Sequence, residues 1–564
     1  MRADALSINS VLKNDVVLRI PYFQRRYVWG EESWERFAID MESTIDSSQS
    51  YFLGALIFNE EPRGQEDLRR GIVNKYLVVD GQQRLTTLLI YMKVLYLLLG
   101  RNEDFTRQYI IDGNNSVLSH NHEDSVAFNN IMRLDTLQKF SSNDSNIYKA
   151  YNFFHSYLLS SKERGLDLSI LLNFINALVM FVVIRLNSQE DDEQRIFDTI
   201  NSLGVPLTTG ELMKNFLYKE NDEDLYFKTW RNVFDTDDRV KFWNADKSKS
   251  RQAKNSKNSN IEVFFHAFVR IKMWDFKDKL TTNQRKTFVK SENVFSTCKS
   301  FVEIFGMDRL NLANEIIEYA ELFREYFDNK ILNQTIPTYP CIDRIACFIN
   351  ATTTYSVIPY VLYLLKNVQN ESERNDIFGY LETYLVRRML AGSDNKNYSD
   401  LFSENLIGNM VNTYDGFVEY IMSKEGALAM PTDFDIQNAI FVRKVKDATP
   451  LYYLYESKIP GNTIDAYSDY ISDKLMPTPK IDNYDTWAQL TNQDEEEERK
   501  QLSETLGNFF ILSKNGKKAI NKVEDKELTD KLVVFRANNP GLRINNDLTT
   551  ITNVWSSDTI HNFV

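Results

Sequence analysis

Residues 75–87 hold the side chains that are best suited to phosphate chemistry. An apolar run ends there in Asp80-Gly-Gln-Gln-Arg84, and a second apolar run with helical spacing begins at Leu85. The Arg84 guanidinium can bind two phosphate oxygens, and Asp80 can hold a metal ion or orient an attacking water molecule. Gly81 permits a turn that a side chain would obstruct. The structural alternative is a polar loop in which Arg84 is simply paired with Asp80.

A strand and a helix must position these side chains. Residues 76–79 predict a buried strand, and residues 85–99 carry apolar side chains at helical spacing. The polar turn therefore lies where a strand ends and a helix begins, and the backbone N–H groups of a helix N-terminus favour an anion there. Another apolar strand is predicted over residues 51–58, which would bring the neighbouring loops towards one end of a sheet.

A second polar cluster lies upstream among aromatic side chains. Residues 20–29 hold Gln24, Arg25 and a further arginine between aromatic residues, and a helix is predicted after them. Aromatic rings can stack on a base while arginines bind phosphates. The alternative is an edge strand whose aromatic side chains enter the core, and we favour this alternative for Tyr22 and Trp34 individually.

Several blocks resemble, in this order, the ParB-like N-terminal domain of GmrSD-type restriction enzymes. The chain departs from the family with Phe23 where a tyrosine is usual and Glu211 where an aspartate is usual. Ordered blocks across about two hundred residues are far more specific than any one of them. The blocks are Ile20-Pro21…Gln24-Arg25…Tyr27-Val28-Trp29, Tyr51-Phe52-Leu53-Gly54, Asp80 to Thr87, and Phe197 to Asn215.

The resemblance implies a domain that binds and hydrolyses a nucleoside triphosphate, with Mg²⁺, to control attack on foreign or modified DNA. It implies catalytic roles for Asp80, Gln83 and Arg84. Thr208 is expected to cap a helix near Glu211, so that this following segment closes over or braces the site. The nucleotide-binding residues that we predict are Gln24, Arg25, Gly81, Gln82, Asn201 and Lys214.

The last hundred residues resemble the HNH-like nuclease domain that ends GmrSD-type proteins. Met476-Pro477, Trp487 and Gly507-Asn508 fall in the expected order, but Lys474 stands where the histidine should be. That histidine is the general base, and an ammonium group cannot replace it unless its pKa falls by several units. No histidine lies between residues 267 and 560, so no nearby substitute exists.

A degenerate nuclease domain can keep part of its surface chemistry. Asp473 and Asn508 are weak candidates for a metal site, since a metal ion alone can lower the pKa of a bound water molecule. Lys474, Lys514 and Lys517 are weak candidates for DNA contacts. We expect the nuclease activity of this region to be lost more readily than retained. The alternative is that the region is a plain partner-binding domain.

Length and composition fit a large protein with several domains. Only 20 of the 564 residues are glycine and 12 are proline, and the apolar-periodic stretches 168–184 and 357–368 predict a mostly helical middle. The predicted class is α+β. It comprises a small ParB-like α/β domain at 1–105, a helical domain at 106–435 that completes the N-terminal module, and a degenerate HNH-like (ββα-metal) region at 436–564.

Charge and cysteine content limit the classes of partner and metal site that we expect. The net charge of −13 does not exclude DNA binding, because DNA binding depends on local patches of basic residues more than on the total charge. Residues 247–260 contain five basic residues and no acid, which predicts a mobile basic loop that touches a phosphate backbone or, as we favour, a solvated linker. The three cysteines and five histidines match no zinc or disulfide spacing. No apolar signal region or membrane-spanning segment is visible, so we predict a cytoplasmic protein without a membrane partner.

Two classes of function remain open. The first is a protein that binds and hydrolyses a nucleoside triphosphate in a DNA-restriction or anti-phage defence system, with doubtful nuclease activity of its own. The alternative is a non-catalytic sensor or regulatory subunit that binds nucleotide or DNA and controls a partner nuclease. A partner defence protein or a homo-oligomer is expected. The nucleotide, the DNA modification and the partner stay open.

Overall fold

The computed structural model is mostly helical and has a six-stranded sheet near its N-terminus, which agrees with the predicted α+β class. The chain divides into two compact units, Met1–Lys228 and Thr229–Val564. The structure describes residues 2–45, 49–111, 115–120, 122–141, 145–186, 207–247, 259–461, 464–476, 493–521, 531–534, 537, 542–544 and 560.

The first unit contains the sheet and the helices that cover it. Its described strands are β1 (Arg2–Ser7), β2 (Val16–Arg19), β3 (Tyr51–Glu60), β4 (Asn74–Asp80), β5 (Ile110–Ile111), β6 (Asn115–Ser116), β7 (Leu118–Ser119) and β8 (Val179–Leu186). Its described helices are α1 (Ile8–Val11), α2 (Glu31–Ser43), α3 (Gln65–Arg69), α4 (Gln82–Leu98), α5 (Asn102–Tyr109), α6 (His122–Met132), α7 (Asn146–Glu163), α8 (Leu168–Leu178), α9 (Thr209–Leu217) and α10 (Glu223–Lys228).

The sheet has the strand order β1-β8-β3-β4-β2-β7 and mixed directions. Strand β2 runs parallel to both β4 and β7, whereas β3 runs antiparallel to β4 and parallel to β8. The carboxyl ends of β2, β4 and β7 therefore lie at the same edge of the sheet. That edge brings together the residues that follow Arg19, Asp80 and Ser119.

Helix α4 forms the centre of the core of the first unit. It packs against α7, α5 and α6, and its apolar residues belong to one large cluster with the sheet and α2. A helix that is apolar on all sides is expected to be buried on all sides. From Gly81 to Leu97 every residue is buried except Arg84. Arg84 is thus the one side chain in the N-terminal half of α4 that reaches the surface.

The stretch 168–184 corrects one expectation. The predicted continuous helix ends at Leu178, and β8 begins at Val179, between β1 and β3. Residues 179–184 are rich in β-branched side chains and alternate between buried and half-buried positions. A short apolar run fits both a helix and a buried strand by periodicity alone, and here the two neighbouring strands stabilise the strand.

The two units differ from the three regions predicted from the sequence. Strands β7 and β8 follow residue 105, yet they pair with strands that precede it. Hydrogen bonds of the sheet therefore tie residues 106–186 to the N-terminal region. Residue 435 lies inside the second unit, and the region boundaries at 105 and 435 stay a prediction.

In its described residues the second unit is mostly helical up to residue 458. A small two-stranded sheet and two further helices follow. Its described helices are α11 (Asp237–Asn244), α12 (Asn260–Lys272), α13 (Thr282–Phe288), α14 (Val294–Glu303), α15 (Arg309–Phe327), α16 (Ile342–Thr352), α17 (Ile358–Asn367), α18 (Glu371–Ala391), α19 (Tyr414–Met422), α20 (Asp433–Ile440), α21 (Thr449–Lys458), α22 (Gln493–Leu502) and α23 (Lys514–Ile520). Its described strands are β9 (Tyr470–Lys474) and β10 (Phe509–Ser513).

The two C-terminal strands are antiparallel, with Lys474 opposite Phe509 and Asp473 opposite Phe510. Helix α23 follows β10 directly, and Ser513 caps it by accepting a hydrogen bond from Gly516 N. Two strands and a helix are therefore present where the sequence predicts them. Their likeness to an HNH domain stays a prediction.

Candidate functional site

The turn after β4 has the strained geometry that only glycine adopts readily. Gly81 has φ 98° and ψ 4°, in the left-handed region, and it is the N-cap residue of α4. A Cβ atom at this position would lie 2.3 Å from Cδ2 of Leu56 in the neighbouring strand. Glycine is therefore required both by the backbone conformation and by the close approach of β3.

Asp80 and Arg84 form an ion pair at the mouth of this turn. Arg84 Nη2 donates to Asp80 Oδ2 at 3.0 Å and to the main-chain oxygen of Ala55 at 2.7 Å. The side chain of Asp80 is 22% exposed and that of Arg84 is 28% exposed. The pairing that we considered as a structural alternative is thus present, and both groups still reach the surface.

The guanidinium of Arg84 lies over the main chain of β3 at Gly54. A Cβ atom on Gly54 would come within 3.0 Å of both Cδ and Nη1 of Arg84. Glycine at position 54 therefore leaves the space that the arginine occupies. Among the described residues, the buried Nε of Arg84 has no hydrogen-bond partner, so one N–H of the guanidinium is unused.

The N-terminus of α4 adds main-chain donors beside this pair. The first N–H groups of a helix have no intrahelical partner. No side chain caps this helix, and its first turn contains no acidic residue. A 17-residue helix with such an N-terminus attracts an anion through its free N–H groups and its dipole.

The upstream cluster lies against the same turn, as the sequence predicts. Gln24 Nε2 donates to the main-chain oxygen of Val79 at 3.2 Å, and Gln82 Nε2 donates to Gln24 Oε1 at 3.2 Å. Arg25, the next residue along the loop, is half-buried. Gln24, Gly81, Gln82 and the ion pair thus lie together at one edge of the sheet.

Gln83 has contacts that its predicted catalytic role does not explain. Its side chain is buried, Oε1 accepts from Val28 N at 2.9 Å, and Nε2 donates to the main-chain oxygen of Arg26 at 3.0 Å. The amide is therefore bonded to the loop main chain rather than directed into an open cleft.

Two hydroxyl contacts lie behind the turn, and the sequence does not predict them. Thr87 Oγ1 is 2.6 Å from the hydroxyl of Tyr27, which also accepts from Trp34 Nε1 at 2.8 Å. Thr86 Oγ1 is 2.8 Å from Nε2 of His120. Neither contact has a spacing signature, but His120 directly follows β7, whose carboxyl end lies at the same edge as that of β4.

Burial sets the protonation state of two of these groups. Burial lowers the pKa of His120 to about 3 and raises the pKa of Tyr27 well above its ordinary value. Nδ1 of His120 lies 4.0 Å from Oδ2 of Asp124, and that oxygen accepts a hydrogen bond from the main-chain N–H of Tyr27. At neutral pH the histidine is therefore an uncharged imidazole and the tyrosine an uncharged phenol.

Tyr22 and Trp34 are core residues, as we favoured. Trp34 is buried against Phe153, with ring centroids 5.8 Å apart. Tyr22 is buried and packs on Tyr226 at 5.1 Å, and its hydroxyl donates to the main-chain oxygen of Lys219. The segment after α9 therefore packs against residues 20–28.

The predicted bracing segment is described in part. Thr208 caps α9 with Glu211 in a capping box, which confirms the expected helix start. Lys214 is buried, 5% exposed, with its ammonium group 6.0 Å from the ring centroid of Tyr226. Its contact with nucleotide stays a prediction, and Asn201 lies outside the described residues.

The C-terminal candidates are tied to other side chains. Lys474 is paired with Glu504 and Lys517 with Asp473, each at 2.5 Å. The side-chain nitrogen of Lys474 therefore lies directly beside a carboxylate. Lys514 is exposed at the start of α23 and is the predicted DNA contact most accessible to solvent.

Asn508 has a structural contact set. Its buried amide accepts from Met476 N and donates to the main-chain oxygens of Met476 and Ser503, each at 2.8 Å. Within the described residues there is no group of three or more acidic, histidine or cysteine side chains arranged to hold a metal ion. The metal role of Asp473 and Asn508 stays a prediction.

Lys247 corrects part of the predicted basic loop. The side chain is buried, and its ammonium group donates to the main-chain oxygen of Phe327 and to Oδ1 of Asn350 at 2.8 Å. Burial lowers its pKa to about 8. This residue is held inside the helical unit and does not face a phosphate backbone, and residues 248–258 lie outside the described residues.

Most of the first unit is similar to a known protein domain. Residues 8–218 match the model for the N-terminal domain of GmrSD restriction endonucleases. No curated protein matches the chain. In the described part of the chain, no helix combines the length and the apolar character needed to cross a membrane. Over residues 8–218 the chain is therefore similar to the N-terminal domain of GmrSD restriction endonucleases.

Proposed function

We propose that this protein binds and hydrolyses a nucleoside triphosphate as part of a DNA-restriction or anti-phage defence system. The observation that carries the proposal is the turn after β4, where the Arg84 guanidinium, the Asp80 carboxylate and the N-terminus of α4 lie together. A guanidinium and free helix N–H groups are a combination that binds phosphate. The match to a restriction endonuclease domain supports the defence setting.

The donor set at the turn fits a nucleotide that brings its own magnesium ion. Mg²⁺ usually keeps several waters and takes one or two carboxylates together with substrate phosphates. Asp80 is the carboxylate of the turn, and the ion would polarise the phosphate oxygens when bound. Arg84 and the main-chain N–H groups of Gln82 and Gln83 would hold the phosphates. Arg25, Asn201 and Lys214 are proposed as further nucleotide contacts.

DNA, plain or modified, is the proposed partner. Lys514 offers an exposed cation on the small C-terminal sheet and helix, and Lys474 and Lys517 lie on the same elements. Lys474 supports the expectation of weak cutting, since an ammonium paired with Glu504 does not accept a proton from water. Cutting would then depend on a second defence protein or on another region of the chain.

The alternative function is a non-catalytic sensor that controls a partner nuclease. The Asp80–Arg84 pair favours this alternative, because a carboxylate already bonded to a guanidinium must give up that contact to hold a metal ion. In the sensor, nucleotide would bind at the turn without turnover.

Phosphate release separates the two functions. The purified protein would be given ATP, GTP, CTP and UTP with Mg²⁺, alone and with plain or modified DNA. Turnover of at least one nucleotide, changed by one of the DNAs, is the result we expect. Nucleotide binding without turnover under every condition would support the sensor, and absence of binding to every nucleotide and every DNA would overturn both.

A further inference from the structure

Four polar side chains on the first two turns of α4 are buried. Gln82, Gln83, Thr86 and Thr87 are each less than 8% exposed, whereas Arg84 between them reaches the surface. Buried polar groups in folded proteins almost always have hydrogen-bond partners, and a lost partner is costly. The contacts of these four side chains therefore indicate what each residue does.

Gln83 bonds to the loop main chain at two points. Val28 N donates to its Oε1, and its Nε2 donates to the oxygen of Arg26. One amide thus satisfies a donor and an acceptor two residues apart, which fixes both the position and the direction of the loop. Gln82 makes an equivalent link through Gln24, whose amide in turn donates to the main chain of β4.

The two threonines use their hydroxyl groups in the same way. Each donates its single proton to the carbonyl four residues earlier, Thr86 to Gln82 O at 2.7 Å and Thr87 to Gln83 O at 2.8 Å. Their external partners must then be donors. His120 therefore donates from Nε2 to Thr86, and the Tyr27 hydroxyl donates to Thr87.

These contacts end on two segments, residues 20–28 and the residues after β7. The first segment carries Arg25, and the second carries His120 and Asp124. Asp124 also accepts from Tyr27 N at 2.7 Å, so the two segments are linked to each other as well as to α4. The residues left at the surface of the turn are Asp80 and Arg84.

We propose that Gln82, Gln83 and Thr87 are positioning residues that fasten residues 20–28 to α4, and that Thr86 fastens the segment after β7 through His120. Contact with nucleotide is then made by Asp80, Arg84, the fastened loop and the N–H groups of α4. This inference rests on the proposed nucleotide site for its functional consequence, but the fastening itself is independent of nucleotide. It replaces the catalytic role that the sequence predicts for Gln83.

The test compares Gln83→Met with wild type in the full-length protein. Methionine has a similar volume but makes neither hydrogen bond, so we expect hydrogen exchange of residues 20–30 to rise about tenfold without nucleotide, with exchange in α7 unchanged. We expect the Kd for Mg-ATP or Mg-GTP to rise about tenfold and turnover at saturation to change less than threefold. A catalytic glutamine would give the opposite pattern, with unchanged exchange and Kd and a large loss of turnover.

Thr87→Val is the second variant, because it removes one hydroxyl and keeps the shape of the side chain. It should raise exchange of the same loop, and its effect should not add to that of Gln83→Met, since both act on one segment. Unchanged loop exchange in both variants would overturn the fastening even if the wild type hydrolyses nucleotide. Raised exchange in a protein that binds none of ATP, GTP, CTP and UTP would instead refute the nucleotide site and keep the fastening.

Discussion

At the scale of single residues, the carboxylate of Asp80 has two competing uses. It accepts a hydrogen bond from Arg84, and it is the acidic group placed to meet a nucleotide-bound magnesium ion. Asp80→Asn keeps the shape but removes the charge. We expect nucleotide turnover to be lost, while the free energy of unfolding changes by less than about 1 kcal/mol because partly exposed ion pairs contribute little.

The protein contains a matched control for this variant. Asp4 and Arg185 form an ion pair in the same sheet, also 3.0 Å apart, with side chains 25% and 32% exposed. Asp4→Asn should leave turnover unchanged. Equal turnover in Asp80→Asn and wild type would remove this carboxylate from the mechanism.

His120 predicts a dependence of stability on pH. Its pKa is about 3 in the folded protein, below the ordinary value of 6.5, because the imidazole is buried beside Phe128. The unfolded chain therefore binds a proton below pH 6.5 that the folded protein does not bind. The stability that this residue contributes is complete above pH 6.5 and is lost as the pH falls towards 3.

The measurement is thermal unfolding of wild type and His120→Gln between pH 4 and pH 8. Glutamine does not titrate and can still donate to Thr86. The wild type should lose more stability than the variant below pH 6.5, by up to a few kcal/mol. Parallel curves would show that His120 is protonated in the folded protein, with Asp124 at 4.0 Å as the group that compensates the charge.

At the scale of elements, the β4–α4 turn depends on how closely β3 approaches it. Gly81→Ala would place a methyl group 2.3 Å from Leu56 at φ 98°. Gly165 has a nearly identical φ of 100° and open space around it. We expect Gly165→Ala to cost about 1–2 kcal/mol from backbone strain alone, and Gly81→Ala to cost a further 1–3 kcal/mol, roughly, from overlap.

Chemical denaturation of the two glycine variants measures this difference directly. The comparison isolates overlap, because the φ angles of the two glycines are matched. Equal destabilisation would mean that Leu56 moves aside at little cost and that the turn tolerates a side chain.

Some elements of the site could be predicted from the sequence and others could not. The apolar runs before Asp80 and after Arg84 predict β4 and α4, and both are present. Periodicity does not reveal which polar side chains of a buried helix face a loop, so the contacts of Gln83 and Thr87 were not predicted. The change from α8 to β8 at Val179 was not predicted for a related reason. Strand β8 is stabilised by pairing with β1 and β3, and both partners are far from it in the sequence.

At the scale of the whole molecule, the C-terminal region is expected to cut DNA poorly. Lys474 is paired with Glu504, and Asp473 is paired with Lys517. Losing a positioned general base typically costs about 10²–10⁴-fold in rate. Protein free of contaminating nuclease should therefore leave plain and modified DNA largely intact with Mg²⁺ or Mn²⁺.

Two outcomes of that experiment would change the account. Robust cleavage that disappears in Asp473→Ala would show that the region cuts without the histidine. Robust cleavage that survives Asp473→Ala would place the nuclease elsewhere in the chain. The sequence alone shows that the expected histidine base is missing. Only the structure shows that Lys474 and Asp473 form ion pairs with other side chains.

The central claim is that the turn after β4 binds a nucleoside triphosphate through Arg84. Calorimetric titration of the magnesium complexes of ATP, GTP, CTP and UTP into wild type, Arg84→Gln and Arg185→Gln tests it most directly. A charge-assisted contact is worth roughly 1.5–3 kcal/mol, so Arg84→Gln should raise Kd by about ten- to a hundredfold. Arg185→Gln, which removes an equally exposed paired arginine, should bind as the wild type does. Equal affinity in all three proteins, or no binding to the wild type, would contradict the account.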